Sequence, residues 1–176
     1  MSAPEARINA YRAAVVATIR ASMPELRQAE EQFGRFDLSE LERTMLPAPA
    51  VRVAIIKARA RNQPPAAIEA DLSCAAFVIT DGRDRDRHGW AIAEGIVTIL
   101  HSGQLFGLTR LGAPSNVEIQ PLVSLQLRQR GASIMAVEWR QELRQLGEGI
   151  FDDEKHLLKE LYVNDELWPL TEAGNG

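Results

Sequence analysis

Few residues in this chain have the type and spacing for chemistry. Its three histidines are His88, His101 and His156, and none lies at metal-ligand spacing from another histidine or from the one cysteine. Asp152-Asp153-Glu154 is an acidic triplet that a hard cation could use. It lacks the glycine and carbonyl positions of a calcium loop, and acids opening a helix are stabilising without any metal. Glu138 and Glu142 fall on the charged side of an alternating run. Paired carboxylates do acid–base work only in a cleft with a raised pKa, and the sequence signals neither. No serine sits in a nucleophile elbow, and no glycines form a phosphate-cradling loop. The readings are therefore no catalytic residue, no metal and no cofactor. What remains is Arg83-Asp84-Arg85-Asp86-Arg87. It reads as a solvated loop with self-paired charges, or as a docking surface whose arginine forks meet carboxylates on a neighbour. The alternating signs suit a contact between identical subunits.

The elements that carry this charged stretch occupy residues 68–101. Ile68, Ala70, Leu72, Cys74, Ala76 and Val78 share one side of a period-2 pattern. Phe77 and Ile79 lie on the other, which predicts a strand buried on both faces in its second half. Residues 81–89 contain no apolar side chain and read as a zwitterionic loop. A helix follows over 90–101, with Trp90, Ala93, Val97 and Leu100, or Ile92, Ile96 and Ile99, as its apolar face, closed by Ser102-Gly103. Cys74 lies inside the strand pattern and reads as a small buried hydrophobe.

Upstream, Pro4 opens a first helix whose stripe is Ile8, Tyr11, Val15 and Ile19, ending near Met23-Pro24. The stripe is narrow and rich in alanine, which favours core packing over a membrane-surface role. Residues 25–34 read as a polar loop, and Gly34-Arg35-Phe36 as a short strand. Ser39 and Glu42 form a capping box for a short helix that Pro47 and Pro49 stop. Residues 50–58 alternate as a strand, and Pro64-Pro65 makes a turn or connector, so the strands on either side form an antiparallel hairpin.

Downstream, 104–112 is apolar but punctuated by glycine, 117–120 is a short strand interrupted by Pro121, and 122–127 continues irregularly. Residues 128–131 form a polar turn. In 133–143, Met135, Val137, Trp139, Gln141 and Leu143 alternate with Ala136, Glu138, Arg140 and Glu142. One apolar and one charged face is the pattern of an antiparallel strand with a solvated side. After Gly147-Glu148-Gly149 the composition changes. Leu157, Leu158, Leu161 and Tyr162 line one side of a predicted helix, and the exposed apolar residues Trp168 and Leu170 predict docking on the chain's own body or a neighbour.

A length of 176 residues suits one core. With 45% hydrophobic and 25% charged residues the composition is that of a globular protein. The net charge of -4 argues against non-specific nucleic-acid binding. One cysteine cannot make an internal disulfide and fits a reducing compartment. The N-terminus does not read as a signal peptide, and no apolar run is long enough to span a membrane. The expected fold class is α+β, a mostly antiparallel sheet with helices packed on it. Residues 1–147 form the domain, and 148–176 form a C-terminal extension.

The order of elements and several local phrases resemble the tail terminator family of Mu-like contractile-tailed phages and prophages. The matching features are the amphipathic N-terminal helix, then Leu46-Pro-Ala-Pro-Ala-Val-Arg-Val53 leading into a strand, and the strand over 70–80 with its arginine-rich polar stretch. The helix through Glu94-Gly-Ile-Val-Thr-Ile-Leu100, the Gly-Gln-Leu-Phe-Gly-Leu segment and the late Ala136-Val-Glu-Trp139 strand complete the match. It covers roughly residues 6–143. The resemblance implies a ring, usually hexameric, at the head-proximal end of the tail tube. Such a ring stops tube polymerisation and meets the tube protein, the sheath protein and the head–tail connector. It implies assembly in the host cytoplasm and residence in the virion tail. The expected interface residues are Arg83, Asp84, Arg85, Asp86, Arg87, Trp168 and Leu170. Two rivals stand beside it: another connector or completion protein of the head–tail junction, and a small bacterial enzyme using Glu138, Arg140 or His88 in a cleft.

Overall fold

The computed structural model describes residues 6–35, 47–63, 67–122, 129–147, 161–163 and 166–168. Among them the chain forms α1 (Arg7–Ser22), β1 (Gln28–Phe33), β2 (Ala50–Gln63), β3 (Ala67–Asp81), α2 (Arg85–His101), β4 (Ser115–Leu122), β5 (Ala132–Leu143), β6 (Leu161–Val163) and β7 (Glu166–Trp168). The first five strands make one sheet in the order β1-β2-β3-β5-β4. Only β1 pairs in parallel, with β2; the other pairings are antiparallel. This is the expected α+β architecture, a mostly antiparallel sheet with two helices packed on it. β6 and β7 form a separate antiparallel pair.

Period-2 alternation decides which face of the sheet is covered. Val51 and Val53 of β2, Leu72, Cys74, Ala76 and Val78 of β3, and Met135, Val137, Trp139 and Leu143 of β5 point to one side. There they meet Tyr11, Val15, Val16 and Ile19 of α1 and Ile92, Ala93, Ile96 and Leu100 of α2. Each such aliphatic side chain removed from water contributes about 1.5–3 kcal/mol. The α1 stripe and the buried Cys74 are as the residues predict. Phe77 and Ile79 are buried on the opposite face with Ala50, Ala54, Ala75, Ile134 and Ala136. The second half of β3 is thus covered on both sides. The same face turns charged further along, where Lys57, Arg59 and Arg61 of β2 oppose Ser73, Asp71 and Glu69 of β3.

The structure departs from the sequence expectations in several places. Residues 28–33, expected as loop, are β1. Its side chains are mostly polar, and its partners hold it in place: it pairs with β2, Arg12 Nη2 lies 2.7 Å from Glu31 Oε2, and Arg52 bonds Glu30 and Gln28. Gly34 and Arg35 form a bend rather than a strand. β2 runs to Gln63 instead of ending at 58. Pro121 does not interrupt its strand, because β4 is an edge strand, where a missing N–H costs no ladder bond. Leu161 and Tyr162 are in β6, not in a helix. Pro4, Phe36, the Ser39/Glu42 capping box, Pro64-Pro65, residues 123–127, the Asp152-Asp153-Glu154 triplet, His156, Leu157, Leu158 and Leu170 lie outside the described residues. No helix among the described residues is long and apolar enough to cross a membrane.

Candidate functional site

The charged stretch is not a loop through to Gly89. Gly82–Asp84 forms the turn and α2 begins at Arg85, five residues before the expected start. The helix begins among charges because the polar turn is fastened at both ends. Buried Thr80 donates its hydroxyl to the Arg85 carbonyl at 2.8 Å, and Arg85 Nη1 donates to the Gly82 carbonyl at 3.1 Å. Gly82 supplies a φ of 84°, in the left-handed region that favours glycine. Asp86 lies in the first turn, where its charge suits the helix dipole, and it accepts a hydrogen bond from Ser133 at the start of β5. Gly89 is buried, and a Cβ added there would lie 3.2 Å from the Met135 methyl and 3.4 Å from the Thr80 hydroxyl, so its lack of a side chain lets the first turn of α2 sit close on the sheet.

Arg83, Asp84 and Arg87 remain exposed, and among the described residues no ion pair engages any of them. The self-paired loop is therefore not what forms: Asp86 is turned to Ser133, Arg85 to the turn backbone, and Arg83 and Arg87 face solvent. Trp90, expected on the apolar face, follows Arg87 by one helical turn and is 47% exposed. Ile92, Ala93, Ile96 and Leu100 take the core side instead. Exposed tryptophan beside unpaired arginine is the composition of a protein-contact hot spot. Sequence periodicity missed Trp90 because an apolar residue at a helix position is read as core by default.

On the other flank of α2, between its His88, Ala91 and Ile92 positions and Pro49 ahead of β2, opens a cavity of about 350 Å³ that Glu25, Thr80 and Asp81 also line. A second depression of about 260 Å³ lies on the charged half of the sheet, lined by residues that include Arg35, Asn116, Glu118, Glu138 and Arg140. Glu118 and Glu138 stand directly opposite in the β4–β5 register. Of the residues the rival enzyme reading offered, Glu138, Arg140 or His88, the structure brings Glu138 and Arg140 together and places His88 in the other cavity. Glu118 and Arg35 had no sequence signal, since their placement depends on strand order.

Glu142 accepts hydrogen bonds from Arg144 Nε at 2.5 Å and Arg61 Nη2 at 3.4 Å. Arg144, then Arg61, holds its carboxyl below the usual carboxylate range. Arg61 also lies 2.9 Å from Asp71, so this end of the face is an ion-pair network rather than a proton-transfer site. His101 sits in the last turn of α2 with Nδ1 2.9 Å from the Val97 carbonyl. Among the described residues no group of three or more His, Cys, Asp or Glu could hold a metal ion. Trp168 ends β7, away from the charged stretch in sequence, and Leu170 is outside the described residues.

No protein-family model matches the chain, and no curated protein matches it either.

Proposed function

We propose that this protein is a phage tail-assembly factor that caps the tail tube, ends its polymerisation and forms the head-joining interface. Its work is binding, done as a ring of copies that meets the tube protein, the sheath protein and the head–tail connector. It assembles in the host cytoplasm and stays at the head-proximal end of the virion tail. The observation that carries this reading is the exposed corner at Arg83, Arg87 and Trp90, cationic groups without a described counter-charge beside a half-exposed indole. Such a corner suits docking to another protein surface. The resemblance of residues 6–143 to tail terminators supports the same reading. A ring of this kind caps a tube because its two faces differ: one mimics the next tube ring and the other admits no further addition.

The test is electron microscopy of tails made by a phage or prophage lacking this protein. Tubes of irregular, excessive length without heads are expected. Tubes of uniform normal length that join heads would overturn the proposal. Uniform tubes that fail to join heads would assign the protein to completion of the junction instead.

A further inference from the structure

We propose that copies of this chain join as a knob in a hole: Trp90 of one copy enters the cavity between α2 and Pro49 of the next. The proposal deepens the ring assembly proposed above and rests on that reading for its role in the tail. Its physical basis is shape, charge and the placement of both parts on one helix.

Trp90 stands 47% exposed, and a large apolar group in water gains by burial. The hole is apolar at its base. Pro49, Ala91 and Ile92 line it, Ile92 is buried, and the hydroxyl of buried Thr80 is already bonded to the Arg85 carbonyl. An apolar cavity of about 150 Å³ holds a benzene ring. At about 350 Å³ this one has room for the two fused rings of an indole. The mouth is acidic, with Glu25 and Asp81 exposed there. The knob is basic, with Arg87 one helical turn before Trp90 and Arg83 in the turn ahead of the helix. Among the described residues no ion pair engages any of these four charges. Docking brings the guanidiniums onto the carboxylates as the indole enters, and such forks are the strong members of charged contacts. A tryptophan seated in a pocket and ringed by polar pairs is the anatomy of a hot spot.

Position on the helix decides which copy's indole fills the hole. At about 100° per residue, His88, Ala91 and Ile92 are centred about 150° round α2 from Trp90. Trp90 therefore points away from its own cavity, with the body of the helix between them, and a neighbouring copy supplies the indole. A twofold contact would turn the same surface of each copy to the other. Knob and hole on opposite flanks of one helix cannot both lie in that surface. The contact is head-to-tail: each copy gives its knob to one neighbour and its hole to another, the kind of contact that closes a ring.

The test uses full-length variants and sedimentation velocity. Trp90→Ala removes the knob and Ala91→Phe fills the hole; circular dichroism should show both folded, because both positions are exposed. Each variant alone should self-associate at least about thirtyfold more weakly than wild type, the loss expected of a hot-spot residue. Mixed in equal amounts, they should form a one-to-one dimer and nothing larger, because one variant brings the only intact knob and the other the only intact hole. Glu25→Lys with Asp81→Lys should weaken assembly at least about tenfold, and adding Arg83→Glu with Arg87→Glu to the same chain should restore it. Wild type that stays monomeric at every concentration would overturn the proposal. So would a mixture that stays monomeric or grows past the dimer, or Trp90→Ala protein that assembles like wild type. The assay needs no tail: head-to-tail assembly in a protein whose loss leaves tail length normal would refute the capping function and leave this contact standing.

Discussion

Removal of the Tyr11 hydroxyl tests the physical reading of the core most directly. Tyr11, Trp139 and Gln141 are fully or almost fully buried between α1 and β5. The Trp139 indole N–H donates to the Tyr11 oxygen at 2.9 Å, Tyr11 donates to Gln141 Oε1 at 3.3 Å, and Gln141 Nε2 donates to the Gly112 carbonyl at 2.6 Å. The chain of bonds ties the helix to the sheet and the sheet to the segment before β4. Tyr11→Phe keeps the ring, including its edge-on contact with Phe106 at 5.7 Å between centroids. It leaves the indole N–H and one amide oxygen unpaired in the core. An orphaned buried group costs about 1–3 kcal/mol, so two should cost roughly 2–6 kcal/mol. With a urea slope of about 2 kcal/mol/M the unfolding midpoint falls by about 1–3 M. Urea titration followed by tryptophan fluorescence reads this shift at constant slope. Trp139→Phe in the Tyr11→Phe background should cost less than in wild type, because the indole N–H it removes is already unpaired. A Tyr11→Phe loss below about 0.5 kcal/mol, or full additivity of the pair, would refute the bonded chain as a stabilising unit.

Two further outcomes follow from the same packing. Gly95→Ala in α2 places its new carbon 2.5 Å from the Met23 methyl, the movable end of a flexible side chain. The gain in helix propensity, up to about 1 kcal/mol, should outweigh that shift, and a thermal melt should show equal or higher stability. Burial pushes the Cys74 thiol up to about 12, with the Tyr11 hydrogen bond opposing. A thiol that ionises more easily unfolded than folded contributes stability below its unfolded pKa and loses it as pH rises through the folded value. Stability should therefore fall between about pH 9 and pH 12. Burial raises the Tyr11 hydroxyl as well, which adds to the alkaline loss. Cys74→Ala should make the decline shallower in pH-dependent urea titrations, and thiol reagents should label wild type only as it unfolds.

The sequence by itself determined the elements whose burial follows a single period. The alternation from Met135 to Leu143 fixes β5 and its covered face, the Tyr11–Val15–Ile19 stripe fixes α1, and Cys74 is buried where its pattern position places it. In each case a local repeat of 2 or 3.6 residues is enough, because one neighbour surface receives every apolar side chain. The mostly polar β1 has no such repeat; its pairing with β2 and the ion pair from Arg12 create the strand, and both depend on residues far along the chain. The start of α2 was hidden for a related reason. Arg85 to His88 look like loop until Thr80 and Ser133, on two strands, hold the Arg85 carbonyl and the Asp86 carboxylate. The candidate surface was half legible. Its arginines stood out as a charge run, and that run suggested self-pairing. Only the fold turned Asp86 to Ser133, left Arg83 and Arg87 in solvent, and rotated Trp90 out of the core beside them. Charge alternation along a chain says which groups are close in sequence. Which of them find partners depends on where the helix and the strands around it carry each side chain.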